Sequence, residues 1–188
     1  MPTQNTAVRA LHDVGVAAWF GGSLMGAVGL NGGANDIADP LDRSRVAAAG
    51  WARWAPVNAA AIGAHLIGGG ALLLANRGRA ATHTGVRANT VAKTALTGAA
   101  LATTAYTGVL GARIAAAGRV PSAGGAKPSD ATPATVASAQ KQQRVFQWVL
   151  PALTGAIIVL GAQQGEQQRP GRRLAGAADA LRHRTNTA

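Results

Sequence analysis

Charged side chains are absent from four stretches of this chain, residues 14–35, 54–76, 94–112 and 145–165, and each is close to one bilayer in length. A helix rises 1.5 Å per residue, so about 20 apolar residues cross a hydrocarbon core about 30 Å thick. Between residues 14 and 30 the only polar side chain is Ser23, and between 146 and 160 only Gln147 and Thr154 interrupt, with Trp148 near the start. The third stretch is diluted by Thr94, Thr97, Thr103, Thr104, Tyr106 and Thr107, although a threonine hydroxyl can bond its own helix backbone. A soluble four-helix bundle would need a polar face on every helix, with charges recurring every three or four positions. These stretches have no such face. The pattern predicts an all-α integral membrane bundle of four transmembrane helices within residues 1–165, followed by a basic tail at 166–188.

The connections add detail. Asp39-Pro40 followed by Asp42 has the character of a helix start, with Asp39 as N-cap, Pro40 at the first helical position and Asp42 near the positive helix end. A short amphipathic surface helix is expected over 41–54, with Asp39 and Arg43, and Asp42 and Arg45, at pairing distance. Trp51, Trp54 and Trp148 are expected as anchors at the headgroup level, and Pro56 as the opening of the second span. Segment 120–139, with three prolines and two adjacent glycines, reads as a long, exposed and mobile loop. In the tail, residues 172–184 would form a short surface helix or stay disordered. Arg9 ahead of an apolar run that ends in small residues also suits a signal peptide. The run is longer than a typical signal core and Asp13 stands at its edge, which favours a retained first helix.

Composition changes the picture in two ways. Hydrophobic residues make up 48% of the chain but aromatic residues only 4%, and there are 25 glycines, which favours helices in close approach. The net charge of +11 would suit nucleic acid, yet the 18 Lys and Arg residues fall between the apolar runs, with no aromatic interleaving to stack bases. Basic loops facing anionic headgroups account for the same excess, so the expected partner is the lipid bilayer, together with another membrane protein or a second copy, and not nucleic acid. The connection holding Arg77, Arg79, Arg87 and Lys93 carries no acid, whereas Asp36, Asp39 and Asp42 lie in the first connection. That asymmetry favours both termini in the cytoplasm, in a bacterial cytoplasmic membrane. There is no cysteine, which excludes disulfides and thiolate metal sites.

Candidate chemistry centres on two histidines. His12 lies just before the first charge-free run and His65 near the middle of the second, where a polar side chain usually has a partner. As functional groups they would ligate a b-type haem or copper; as structural groups, His65 would donate to a carbonyl or hydroxyl on a neighbouring helix. Their places in the runs put His12 at a membrane surface and His65 near the midplane, too far apart in depth to share one iron. Asn58 stands two helical turns from His65 on the same face, and Tyr106 could complete a polar group suited to a quinone head. No Asp or Glu lies within a span, which argues against a proton pump or an ion-coupled transporter. His83 and His183 fall in polar segments and are read as solvated. Gly22 with Gly26, Gly63, Gly68 and Gly69, and Gly108 are the candidate helix-packing positions. The glycine runs lack the Gly-Lys-Ser/Thr end of a phosphate loop, and no serine nucleophile elbow or HExxH pair is present.

Leu11-His12 followed by Trp19-Phe20-Gly21-Gly22 resembles the opening helix of four-helix membrane proteins of the copper-resistance D type, in which a His near a helix start precedes a Trp-x-Gly-Gly signature. The Arg-rich link at 42–54 is similar in placement, and the resemblance extends over about the first 75 residues. It implies a helical membrane frame and copper handling through His and Met, for which Met25 and His65 are the in-span candidates besides His12. The leading functional expectation is a small accessory or scaffolding membrane protein, a subunit or assembly partner of a larger complex, without an enzymatic constellation. The alternative is a redox or metal-handling protein holding haem, copper or quinone through His65 and His12. A third is an oligomeric pore using the Thr-rich third span.

Overall fold

A computed structural model of the chain describes residues 3–82 and 84–167, with side chains at 6–75 and 87–163. His83, the side chains of Arg77 and Arg79, and the tail from residue 168 onward, with His183 and the expected tail helix, lie outside the described residues.

The described residues are mostly helical. Helix α1 (Thr3–Met25) continues through a five-residue π turn (Gly26–Leu30), a short α turn (Asn31–Gly33) and a 3-10 turn (Ala34–Asp36). Helix α2 spans Pro40–Thr82, α3 spans Thr84–Ala116 and α4 spans Ala134–Gln167. Between α3 and α4 a small antiparallel hairpin pairs β1 (Ser122–Gly124) with β2 (Lys127–Pro128). The continuous α1 segment, α2 and α4 are long and apolar enough to cross a membrane. Helix α3 falls below that mark, as the threonines spread along it dictate.

Two expectations for the connections are corrected. The separate surface helix at 41–54 does not exist: these residues are the first third of α2, a single helix of 43 residues, about 65 Å long, with Pro56 inside it. Its start follows the Asp39-Pro40 pair, since the Leu41 N–H donates to Asp39 Oδ1 at 2.9 Å. The helix stays in line because the inner face of 41–54 is covered by protein. Ser44 and Ala47 are buried, and Trp51 packs on α1. Asp42 pairs with Arg45 at 2.9 Å, but Asp39 pairs with Arg119 at 2.7 Å and not with Arg43.

The segment 120–139 is folded onto the end of the bundle. Helix α3 stops at Gly118, whose φ of 66° suits glycine. Ser122, Ala126 and Thr132 are buried, and Val136 and Ala139 at the start of α4 join Leu110 and Ile114 of α3 in an apolar cluster. Polar groups pin the hairpin. Gln140 Nε2 donates to Ser122 Oγ at 3.1 Å, and the Thr132 hydroxyl donates to the Pro121 carbonyl. The Arg43 guanidinium donates to the carbonyls of Ile37 (2.8 Å), Ala123 (3.4 Å) and Ser122 (3.5 Å). Gly125 fits where it does because a Cβ there would lie 2.9 Å from Ala47 Cβ and 3.0 Å from Asn31 Cα. Proline and glycine in this stretch mark tight turns rather than an open loop.

A second cluster, formed by Trp19, Ala100 and Leu150, lies between α1, α3 and α4. Antiparallel α1 and α2 form the tightest seam. Their offset can be read from the glycines, with Gly15 against Ala61 and His65, Gly22 against Trp54, Gly26 against Trp51, and Gly68 against His12.

Candidate functional site

The seam between α1 and α2 positions the two histidines. A Cβ on Gly15 would lie 2.6 Å from both the Ala61 carbonyl oxygen and the His65 backbone nitrogen, so only glycine allows this approach. His12 stands one turn earlier, over Gly68 and Gly69, and therefore beside His65. Their rings pack with centroids 4.2 Å apart and planes inclined by 36°. The expectation of separate depths is thus overturned: α1 is displaced along α2 so that the edge of one charge-free run meets the middle of the other.

The hydrogen bonds fix the protons. The His12 carbonyl can only accept, so His65 Nδ1–H donates to it at 3.3 Å, and His65 Nε2 accepts from the Thr97 hydroxyl at 3.3 Å. His12 Nδ1–H donates to Asp13 Oδ1 at 2.8 Å. Trp19, wholly buried, stands edge-on to His65 at 6.2 Å and donates its indole N–H to Thr104 at 3.2 Å. On the outer side of the pair opens a polar cleft of about 270 Å³, lined by Arg9, Asp13, Lys93 and Thr94 beside the histidines.

This geometry does not fit the copper that the resemblance implies, nor a haem held by both histidines. Both ring nitrogens of His65 have protein partners, so a metal at Nε2 would have to displace the Thr97 hydroxyl. Met25 lies about 20 Å further along α1 at 1.5 Å per residue, with its thioether folded back toward Gly29. Among the described residues no three His, Asp or Glu side chains converge as a metal site would require. The grouping of Asn58, His65 and Tyr106 is also divided. His65 turns to α1, while the Tyr106 hydroxyl donates to Gln142 of α4 and its ring meets Phe146 edge-on at 5.1 Å.

A second site lies toward the hairpin end, where α2 and α3 stand apart. It is a cavity of about 420 Å³ with mostly apolar walls. Trp51 and Trp54, expected as headgroup anchors, form part of its wall, and their rings occupy the space that side chains on Gly26 and Gly22 would need. Trp148 stays half-exposed on α4. Asn58 lines the cavity, and so do Asn31 and Gln147, neither of which the sequence singled out as a partner. The Trp51 indole can only donate, and it does so to Asn31 Oδ1 at 2.9 Å. Asn31 Nδ2 then donates to Gln147 Oε1 at 2.9 Å, and Gln147 Nε2 to the Arg144 carbonyl at 3.2 Å. A donor-only group at one end and a carbonyl at the other set both amide orientations. The π turn helps to place Asn31, whose backbone N–H bonds the Gly26 carbonyl five residues back.

Of the glycines expected to pack helices, Gly22, Gly26, Gly68 and Gly69 each face a neighbour, while a Cβ added to Gly63 or Gly108 would have nothing within 4 Å. Gly15, which makes the closest backbone approach to α2, has no small partner four residues away to mark it.

Comparison with protein-family models, with curated proteins and with solved structures finds no match to this chain.

Proposed function

We propose that the chain crosses the bilayer four times, with both termini cytoplasmic, and serves as an accessory or scaffolding subunit of a larger membrane assembly. The observation that carries this reading is the character of α3. It is antiparallel to the candidate spans it packs against, which supports a fourth crossing, yet it is not apolar enough to stand out as a span by itself. Its inward threonines have protein partners: Thr97 bonds His65 and Thr104 bonds Trp19. Its outward face is mostly small, with Gly98, Ala102 and Ala105 exposed, and carries Val91 and Val109 as its two large apolar side chains. Lipid gains little from such a face, whereas a second helix can approach it closely. On the other helices, Val14, Val28, Ile67 and Leu74 are exposed large apolar side chains that suit lipid.

Because the chain has no cysteine, topology can be tested with single introduced thiols. A membrane-impermeant maleimide should label Ser129→Cys from the periplasmic side and Thr185→Cys only after the membrane is opened. Purification in a mild detergent, followed by mass analysis, should recover a stoichiometric membrane partner that Ala102→Trp displaces. Recovery of the unmodified chain alone as a monomer would rule out the subunit role.

A further inference from the structure

We infer that the cavity between α2 and α3 binds a membrane-soluble ligand with a planar, hydrogen-bond-donating head of the hydroquinone class. Its volume of about 420 Å³ falls in the range of small-molecule pockets, roughly 300–1,000 Å³. The space is not a by-product of loose aliphatic packing. Small residues on both sides keep it open, among them Ala55 and Ala59 of α2 and Gly108 and Gly111 of α3, and a Cβ added to either glycine would have nothing within 4 Å. Trp51, Trp54 and Phe146 supply flat aromatic surface, against which an aromatic ring packs well.

The polar groups select the head. Among the described residues five buried side-chain oxygens lack a hydrogen-bond partner, and three of them, Ser44 Oγ, Asn58 Oδ1 and Gln143 Oε1, belong to residues lining this cavity. An unpaired polar atom away from water costs about 1–3 kcal/mol, so Asn58 Oδ1 and Gln143 Oε1 each call for a partner. The two amide oxygens accept only; as the side chains stand both are closed off from the cavity, and a rotation that turns either one inward offers an acceptor to an O–H donor there. Water fits poorly against walls that are mostly apolar. The neighbouring amides, Asn31 and Gln147, already have partners for both oxygen and nitrogen in the relay from Trp51, so the oxygens of Asn58 and Gln143 are the ones left to a ligand. The inference concerns binding, and it is independent of whether α3 docks a partner.

The test uses the full chain in lipid nanodiscs and, as probe, a decyl-substituted dimethoxy-methyl hydroquinone beside its bis-methyl ether, which keeps shape but has no donor. The hydroquinone should bind saturably at one per chain and about tenfold more tightly than the ether, the factor expected from one buried hydrogen bond. Gly108→Leu, which fills open space, should abolish binding while leaving helicity and melting unchanged. Asn58→Leu should bring the hydroquinone down to the affinity of the ether. Non-saturable uptake, equal affinity for the two probes, or binding unaffected by Gly108→Leu would overturn the inference. So would a photo-crosslinker at Gly108 that captures a protein helix instead of the probe.

Discussion

His65 donates its Nδ1 proton to the backbone carbonyl of His12 while the two imidazole rings lie 4.2 Å apart, across a seam that Gly15 and Gly68 hold open. Both nitrogens of His65 thus have protein partners, and the proposed scaffolding role expects the pair to pack the seam and not to hold a metal. Titration of the purified chain with haem should give no low-spin bis-histidine spectrum, and His65→Leu should leave any weak haem or copper uptake unchanged. A Soret shift lost in His65→Leu would show that the ring leaves these bonds for a metal.

The seam itself is exposed to a one-methyl test. Gly15→Ala pushes a Cβ to 2.6 Å from backbone atoms of α2, which cannot rotate away. Overpacking of this kind costs about 1–3 kcal/mol, and the melting temperature in detergent should fall accordingly. Gly63→Ala, with nothing within 4 Å, should be neutral or slightly stabilising, since alanine favours the helix by about 1 kcal/mol.

Arg43 ties the hairpin to α2 through three carbonyls on two segments. Arg43→Ala should release the hairpin and open residues 122–128 to proteinase K while the helices stay intact. Arg43→Lys should rescue only in part, because an ammonium cannot span carbonyls as the planar guanidinium fork does. Equal protease resistance of Arg43→Ala and the parent would show that burial of Ser122 and Gln140 alone holds the hairpin.

At the same end of the bundle, outside the charge-free run of α2, the hydrogen bond from Arg45 holds the Asp42 carboxyl below the ordinary carboxylate range, with Arg119 reinforcing the effect. A lowered native pKa means that the contribution to folding is fully present above the unfolded value, about 4, and is lost as pH falls through the native value. Melting of the parent chain should therefore drop more steeply between pH 5 and pH 3 than that of Asp42→Asn. The group is exposed, so the difference should be small and should shrink in high salt. Parallel curves for the two proteins would remove Asp42 from the acid response.

Much of the fold was legible along the chain. The gaps between charges locate the four long helices, and Asp39-Pro40 marks the start of α2. The hairpin was not legible, because proline and glycine signal tight turns equally in an exposed loop and in a segment packed on a bundle end. The burial of Ser122 and Gln140 that separates these cases depends on α2, far away in sequence. The candidate site was legible only in its parts. Trp51 and Trp54 suit a headgroup level by position, and nothing in their own segment announces that Gly26 and Gly22 are bare to receive them.

What the sequence determined by itself is composition along each helix: where hydrocarbon is tolerated, where charge gathers, and which residues are small. Hydropathy is almost unchanged when one antiparallel helix slides several residues past another, so it carries no information on their offset. Tertiary structure decided that offset, because backbones can approach closely only where Gly15, Gly22, Gly26 and Gly68 find their partners. The same offset brings His12 to His65, and sets Trp51 against Asn31 at the edge of the cavity.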